Sequence, residues 1–325
     1  MEEVCIKGIG AYAPSNIVSN DDLSKIVETS DEWIRERTGI RERRISKGED
    51  TSHIAIKAAN LALERANMVG EDIDLIVLAT ITPDTFTPSV ACLVQKAIGA
   101  KNAMAFDISA ACSGFVYGVQ IAHSMMKNNS TFNNALVIGV ETLSKIVNWE
   151  DRSTCVLFGD GGGAVVLSKE EGSAGIMSLY SKSIGDKSEH LVVDALPVIN
   201  PYVEEKKDNY QKIYMNGQEI FKFAVKAIID GVNNVLEQSN LSIEDVDYIV
   251  PHQANFRIIE FVAKKLKIDT SKFYVNLDKY GNTSSASIPL ALNEMYEENL
   301  LEKGKKIIIV GFGGGLTYGA TLIEL

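Results

Sequence analysis

A single cysteine, Cys112, sits among small residues in ISAACSGFVYG (108–118), at what reads as the first turn of a helix. Strand-like NAMAFDIS (102–109) precedes it, and apolar residues follow at helical spacing: Phe115, Val116, Val119, Ala122 and Met126. A thiol at a helix N-terminus faces unpaired backbone N–H groups and the positive end of the helix dipole, which favour thiolate over thiol. Cys112 is thus a candidate nucleophile, with a buried structural cysteine as the ordinary alternative. Two further segments bear on it. VPHQAN (250–255) places His252 just past an apolar run, where a strand would end, and YGNTSSASIPLAL (280–292) places Asn282 in a turn before another helix start. Cysteine, histidine and asparagine in that order could form a nucleophilic site, although each alone has a structural reading. All three fall at strand ends and helix starts, where open α/β sheets build their sites.

The elements that must position these residues are duplicated. Residues 63–80 align without gaps against 236–253, a constant offset of 173. Identities fall at Leu63/Leu236, Glu64/Glu237, Asn67/Asn240, Glu71/Glu244, Asp72/Asp245, Asp74/Asp247, Ile76/Ile249 and Val77/Val250. At the same offset Cys112 falls opposite Ser285. Further on, NALVIGVE (134–141) echoes KKIIIVGF (305–312), and GDGGGAVVLS (159–168) resembles GGGLTYGATLIEL (313–325). Each half reads as helix, strand, helix, strand, then a glycine-rich turn into a final strand, which predicts two α/β units with buried strands. Packed about a pseudo-twofold axis, they would bring equivalent helix starts together and set Cys112 near the Asn282 turn. The boundary is expected near 170, giving halves 1–170 and 171–325, with a polar excursion near 180–214 around Pro197, Pro201 and EEKKDN (204–209).

Composition excludes several classes. A chain of 325 residues, 46 % hydrophobic, suffices for one large core or two fused ones, against roughly 100–200 residues per domain. No apolar run approaches the roughly 18 residues of a membrane span, and no export signal is evident, so a cytoplasmic protein with no membrane partner is expected. The cysteines Cys5, Cys92, Cys112 and Cys155 are widely separated, which supports neither a disulfide framework nor a zinc site. A net charge of −11 opposes general nucleic-acid binding. VCIKGIGAYAP (4–14) matches the G-x-G-x-x-A dinucleotide fingerprint, but Pro14, Ser15 and Asn16 follow where a long helix should run.

With these residues in a duplicated frame, the chain closely resembles the β-ketoacyl-acyl carrier protein synthase III family of the thiolase superfamily, over essentially its whole length. The resemblance is carried by TSDEWIRERTGIRERR (29–44), AACSG, DRSTCVLFGDGGGA (151–164), VPHQANFRII (250–259), GNTSSAS (281–287) and GFGGGLTYG (311–319). It implies a thiolase-like fold layered α-β-α-β-α and a cytoplasmic homodimer. The implied activity starts fatty-acid synthesis: an acyl group passes from acyl-CoA to Cys112 and is condensed with malonyl-acyl carrier protein. No metal or cofactor is expected, acyl-CoA being a substrate.

By the same resemblance, His252 and Asn282 stabilise the enolate formed on decarboxylation, and the backbone N–H groups of Cys112 and Gly314 form an oxyanion hole. Trp33, Arg37 and Arg152 match positions that grip the nucleotide end of CoA, with adenine between the Trp33 indole and the Arg152 guanidinium. The other arginines of the segment, Arg35, Arg41, Arg43 and Arg44, read as a solvated face paired with neighbouring glutamates. Arg257 and Lys264 lie seven apart on one helical face, Lys265 adjoins them and Lys222 joins by resemblance. In so acidic a chain this patch suits an acidic carrier protein, or it is an ordinary solvated face. Thr87 stands where some short-chain members carry a phenylalanine at the acyl pocket, contributed across the dimer, so a longer or branched primer is open. The alternatives are a sister condensing enzyme with a CoA-bound or other acceptor and a non-catalytic acyl-binding relative. A biosynthetic thiolase is disfavoured because no cysteine follows Cys155.

Overall fold

The computed structural model describes residues 2–172, 174–198, 200–203 and 212–325. The polar run 204–209, expected as part of an excursion, lies outside the described residues.

The first sheet comprises β1 (Glu2–Tyr12), β2 (Leu75–Ala79), β3 (Met104–Ile108), β4 (Asn134–Glu141) and β5 (Gly161–Glu171), in the order β1-β5-β4-β2-β3. The second comprises β6 (Ile176–Ser183), β7 (Tyr248–Pro251), β8 (Lys306–Gly313) and β9 (Thr317–Glu324), in the order β7-β8-β9-β6. Read from the opposite edge, the second order repeats β1-β5-β4-β2 of the first. Both sheets are mixed: β2 runs parallel to β4 and β7 to β8, while β5 and β9 run antiparallel to their neighbours.

Helices complete five layers. The helices α1 (Asp31–Thr38), α2 (Thr51–Ala66), α3 (Val90–Ile98), α4 (Gly114–Asn128), α5 (Gly217–Ser239), α6 (Phe256–Leu266) and α7 (Ser287–Glu297) divide among them. α2 and α3 cover the outer face of the first sheet, and α5 and α6 that of the second. α4 and α7 lie between the sheets, in a core that holds Phe115, Val116, Val119 and Met126 of α4 beside Ile288, Leu292 and Met295 of α7. Burying each such side chain contributes about 1.5–3 kcal/mol. The apolar spacing read from the sequence is therefore the stripe that fixes the direction of α4, and with it the place of Cys112.

The repeat is visible in backbone conformation. α2 ends at Asn67 and α5 at Asn240, both left-handed, with φ 54° and 52°. Asparagine tolerates this C-cap conformation better than most side chains. Single 3₁₀ turns occupy Ala111–Ser113 and Ser284–Ala286, and each opens with a non-glycine residue at positive φ, Ala111 at 45° and Ser284 at 52°. Such strained residues persist where packing over-determines them and cluster at functional sites. Sequence reading placed the helix starts but not the twist that precedes each one.

Candidate active site

Cys112 occupies the 3₁₀ turn that runs into α4 and is 7 % exposed. Opposite it, β8 ends at Gly313, where an added Cβ would stand 2.7 Å from Cys112 Cβ and 3.0 Å from Sγ. Only glycine permits that approach. On another side lies the turn Ser284–Ala286, whose Ser284 lines the same cavity as Cys112. The two equivalent turns of the repeat thus face each other, and an added Cβ at Gly139 of β4 would meet the Ser285 carbonyl oxygen at 2.2 Å.

The expected thiolate-favouring effect of the helix start is outweighed. Burial, reinforced by the Glu141 carboxylate, pushes the Cys112 thiol up to about 12, against the lowering influence of the Ser284 hydroxyl. Removing a thiolate from water costs more than a few aligned dipoles return, so the resting group is a thiol.

His252 follows β7 and is anchored by its N–H, which donates to the Val310 carbonyl at 2.7 Å. Its ring packs edge-on against Phe312, centroids 5.1 Å apart, next along the chain from the glycine that touches Cys112. Burial alone drives its pKa down to about 3, so the imidazole is neutral. Nδ1 lies 2.7 Å from Ser287 Oγ, and that oxygen accepts the Gln253 N–H at 3.3 Å. Donation of the Ser287 hydroxyl proton to Nδ1 is the arrangement that leaves the ring proton on Nε2.

Asn282 is fixed by its own turn. Its N–H donates to Leu157 O at 2.8 Å, its carbonyl accepts from Gly159 N at 3.0 Å, and Oδ1 accepts the Ser284 N–H at 2.8 Å. With Oδ1 engaged, the NH₂ is the end left to meet a ligand oxygen. Gly314 lines the same cavity as Cys112, and its carbonyl is tied by Thr317 Oγ1 at 2.9 Å.

That cavity, about 900 Å³, opens beside Cys112 and is mostly apolar, with Ile81, Phe106, Ile108, Leu143, Leu191 and Ile213 among its walls. Thr85 and Phe86 line it; Thr87 does not, and is exposed between Phe86 and the cis Pro88.

Trp33 lies on α1, where Ser30 caps the helix by accepting the Trp33 N–H. The Arg37 guanidinium lies 4.8 Å and that of Arg152 5.1 Å from the indole centroid, and Arg152 also donates to Glu28 O at 3.1 Å. Both cations rest directly on the ring. Arg43 departs from the solvated face expected of it: it is fully buried, donating to Val18 O, Asn20 Oδ1 and Val156 O. Three acceptors around one guanidinium outweigh exposure; Arg35 is exposed but pairs with Asp31 instead of a glutamate, and Arg44 pairs with Glu42 although its side chain is only 16 % exposed.

Arg257, Lys264 and Lys265 are exposed on α6. Phe221 meets Phe261 edge-on at 6.0 Å, which brings the part of α5 that carries Lys222 alongside. Lys222 is paired with Glu219; the other three have no ion pair among the described residues, and Lys265 lies over the Phe261 ring. Ser284, Ser287 and Glu141 were not singled out from the sequence. The serine run in GNTSSAS and an acid closing the apolar run of β4 were the available signals. Among the described residues no group of three or more His, Cys, Asp or Glu stands together as for a metal, and no helix is long and apolar enough to cross a membrane.

Residues 106–185 match the family described as "3-Oxoacyl-[acyl-carrier-protein (ACP)] synthase III", and 236–325 match its C-terminal part. The chain is 59 % identical to beta-ketoacyl-[acyl-carrier-protein] synthase III of Clostridium novyi, covering 100 % of this chain and 99 % of the relative. The corresponding protein of Clostridium beijerinckii is 56 % identical, with 100 % of each chain covered. Among solved structures, 3-oxoacyl-[acyl-carrier-protein] synthase III from Aquifex aeolicus superposes with a TM-score of 0.93 at 48 % identity, over 99 % of this chain and 100 % of that one.

Proposed function

Because the chain belongs to the 3-oxoacyl-acyl carrier protein synthase III family, and is thus a condensing acyltransferase that starts fatty-acid synthesis, we propose a two-stage reaction centred on Cys112. In the first stage Sγ attacks the thioester carbonyl of acyl-CoA. The bond to the CoA sulfur breaks, and CoA leaves as a thiol with the proton that Cys112 gave up. The acyl chain lies in the apolar cavity.

In the second stage malonyl-acyl carrier protein loses CO₂, and the electron pair of the broken C–C bond moves into an enolate. The Nε2–H of His252 and the NH₂ of Asn282 donate to the enolate oxygen. Both are neutral, and a carboxylate in either place would oppose the charge that forms. The carbanion attacks acyl-Cys112, the Cys112 and Gly314 N–H groups receive the tetrahedral oxyanion, and its collapse expels the sulfur, which regains a proton from solvent. The products are 3-oxoacyl-acyl carrier protein, CO₂ and CoA.

Trp33, Arg37 and Arg152 hold the nucleotide end of CoA, with Arg152 swinging off the indole to admit adenine. Arg257, Lys264, Lys265 and Lys222 dock the acidic carrier protein. A second copy of the chain joins at the exposed edge strand β3, where Met104 is 50 % and nearby Phe86 79 % exposed; Thr87 then acts on the acyl pocket of that copy. The division into halves 1–170 and 171–325 assigns the nucleophile to one and His252 and Asn282 to the other. The reaction needs no cofactor, and the cytoplasm is where these substrates would be met.

The observation that carries this reading is a buried thiol packed against Gly313 that lines an apolar cavity together with Ser284. Its test is the mass added to the intact protein by a panel of acyl-CoAs, followed by peptide mapping. One acyl group on Cys112 and none on Cys5, Cys92 or Cys155 is expected; an adduct elsewhere, or none with any primer, overturns it. Turnover with malonyl-CoA but not malonyl-acyl carrier protein would instead identify the sister enzyme with a CoA-bound acceptor.

A further inference from the structure

Glu141 closes β4, is completely buried and has no part in the reaction described above. Its Oε2 accepts from Thr80 Oγ1 (3.1 Å), Ile81 N (3.0 Å) and Thr82 Oγ1 (2.7 Å), in the loop that forms one cavity wall. Its Oε1 meets Ser284 Oγ (3.2 Å) and Ser285 Oγ (3.1 Å). Ser285 Oγ also donates to Ala79 O at 3.0 Å, so one hydroxyl proton faces two acceptors. A proton on Glu141 removes that shortage. Ser284, meanwhile, donates to the carboxyl, lines the same cavity as Cys112 and favours its thiolate.

We propose that Glu141 is a positioning residue that acts on Cys112 through Ser284. When Glu141 is protonated, its O–H donates to a serine oxygen and the Ser284 hydroxyl is left to donate to the sulfur as the thiol gives up its proton. When Glu141 is ionised, Ser284 turns to the carboxylate, and the added negative charge opposes a thiolate. Burial, offset by the hydroxyls and the Ile81 N–H, raises the Glu141 carboxyl to about 7, so both forms exist under ordinary conditions. The groups facing it are the hydroxyls of Thr80, Thr82, Ser284 and Ser285 and the Ile81 N–H; the titratable group it acts on is Cys112, across Ser284. Lys145, in the turn that follows β4, is engaged by Asp50 at 3.2 Å and Asp84 at 3.9 Å. His252 remains neutral throughout.

This proposal rests on Cys112 as the reacting thiol, but its test requires no acyl transfer and so can fail independently. The rate of iodoacetamide alkylation of Cys112, read by mass spectrometry of its peptide, is followed from pH 5 to 10 with the full chain. In the wild type the rise of log rate with pH should flatten near pH 7 and then resume, with a deficit of about tenfold, as for one pKa unit. Glu141→Gln, whose amide still donates but never ionises, should rise without interruption and react about tenfold faster than wild type at pH 9. Ser284→Ala should lower the rate at pH 6 and shrink the flattening. A merely structural Glu141 would lower the melting temperature and leave the shape of the profile alone. A wild type without the break, or a Glu141→Gln profile that keeps it, overturns the proposal. Should Glu141→Gln fail to fold, Ser284→Ala decides: an unchanged rate at pH 6 with an undiminished break overturns it equally.

Discussion

Nδ1 of His252 and Oγ of Ser287, both buried, lie 2.7 Å apart, and a hydroxyl that donates across this contact holds the ring proton on Nε2. Ser287→Ala should therefore slow malonyl decarboxylation and condensation while leaving acylation of Cys112 nearly intact. His252→Ala and Asn282→Ala should show the same split more severely, by about 10²–10³ for each donor removed. Separate assays of self-acylation and of CO₂ release decide it; equal loss in both half-reactions would remove the assigned roles.

Acid should destabilise the fold through His252. The folded ring resists protonation down to about 3, whereas an exposed one takes a proton near pH 6.5, so between those values the unfolded chain binds more protons. Stability then falls as pH drops through that window, by on the order of a few kcal/mol. Glu141 works the other way: its folded pKa of about 7 exceeds the ordinary 4.5, and its contribution is lost as pH rises through 7. Relative to wild type, His252→Gln should gain melting temperature at pH 4 and Glu141→Gln at pH 8. Parallel melting curves across pH would contradict both.

In the proposed CoA-binding mode adenine takes the place of Arg152 on the Trp33 ring, whose centroid lies 5.1 Å from the guanidinium. Binding of CoA should therefore change Trp33 emission, isolated by comparison with a Trp149→Phe protein. Trp33→Ala and Arg152→Ala should raise KM for acyl-CoA about tenfold with little effect on kcat, in line with losing one stacking or cation–π contact of about 1–2 kcal/mol. A silent fluorophore and an unchanged KM would return these residues to the surface.

Charge reversal on α6 addresses the carrier protein. Arg257→Glu and Lys264→Glu should weaken use of malonyl-acyl carrier protein and reduce the salt sensitivity of that step, while acyl-CoA consumption is untouched. Equal sensitivity to salt in wild type and variants would count against docking there.

Thr87 is exposed and lies outside its own chain's cavity, so Thr87→Phe should alter primer choice only when two copies associate. Longer primers should be disfavoured by about 10–200-fold per excluded methylene, and acetyl transfer preserved. Competition among acetyl-, isobutyryl-, hexanoyl- and decanoyl-CoA measures this, and identical profiles would exclude the position.

What was legible in the sequence was periodic or duplicated. The stripe through Phe115, Val119 and Met126 placed α4, and the 173-residue offset paired the turn of Cys112 with that of Ser285. The site's chemistry was less so, because it depends on distant segments meeting. Glu141 draws partners from Thr80–Thr82 and from Ser284 and Ser285, and no spacing announces them. The effect of the helix start on Cys112 was read from local geometry alone, whereas burial by β8 and the facing turn sets the sign. Arg43 sits in a run of charges like its neighbours, and only the fold shows three acceptors waiting for it.

The facing turns at Ala111–Ser113 and Ser284–Ala286 share one backbone shape yet carry a thiol in one and a hydroxyl at the matching position of the other. Reactivity is thus written in a single atom laid over a frame that accepts oxygen or sulfur alike. Exchanging that atom, as in Cys112→Ser, should silence the proposed chemistry while preserving the mould around it. The product would be a stable receptor for acyl thioesters, and a starting point for sensors that report on them without consuming them.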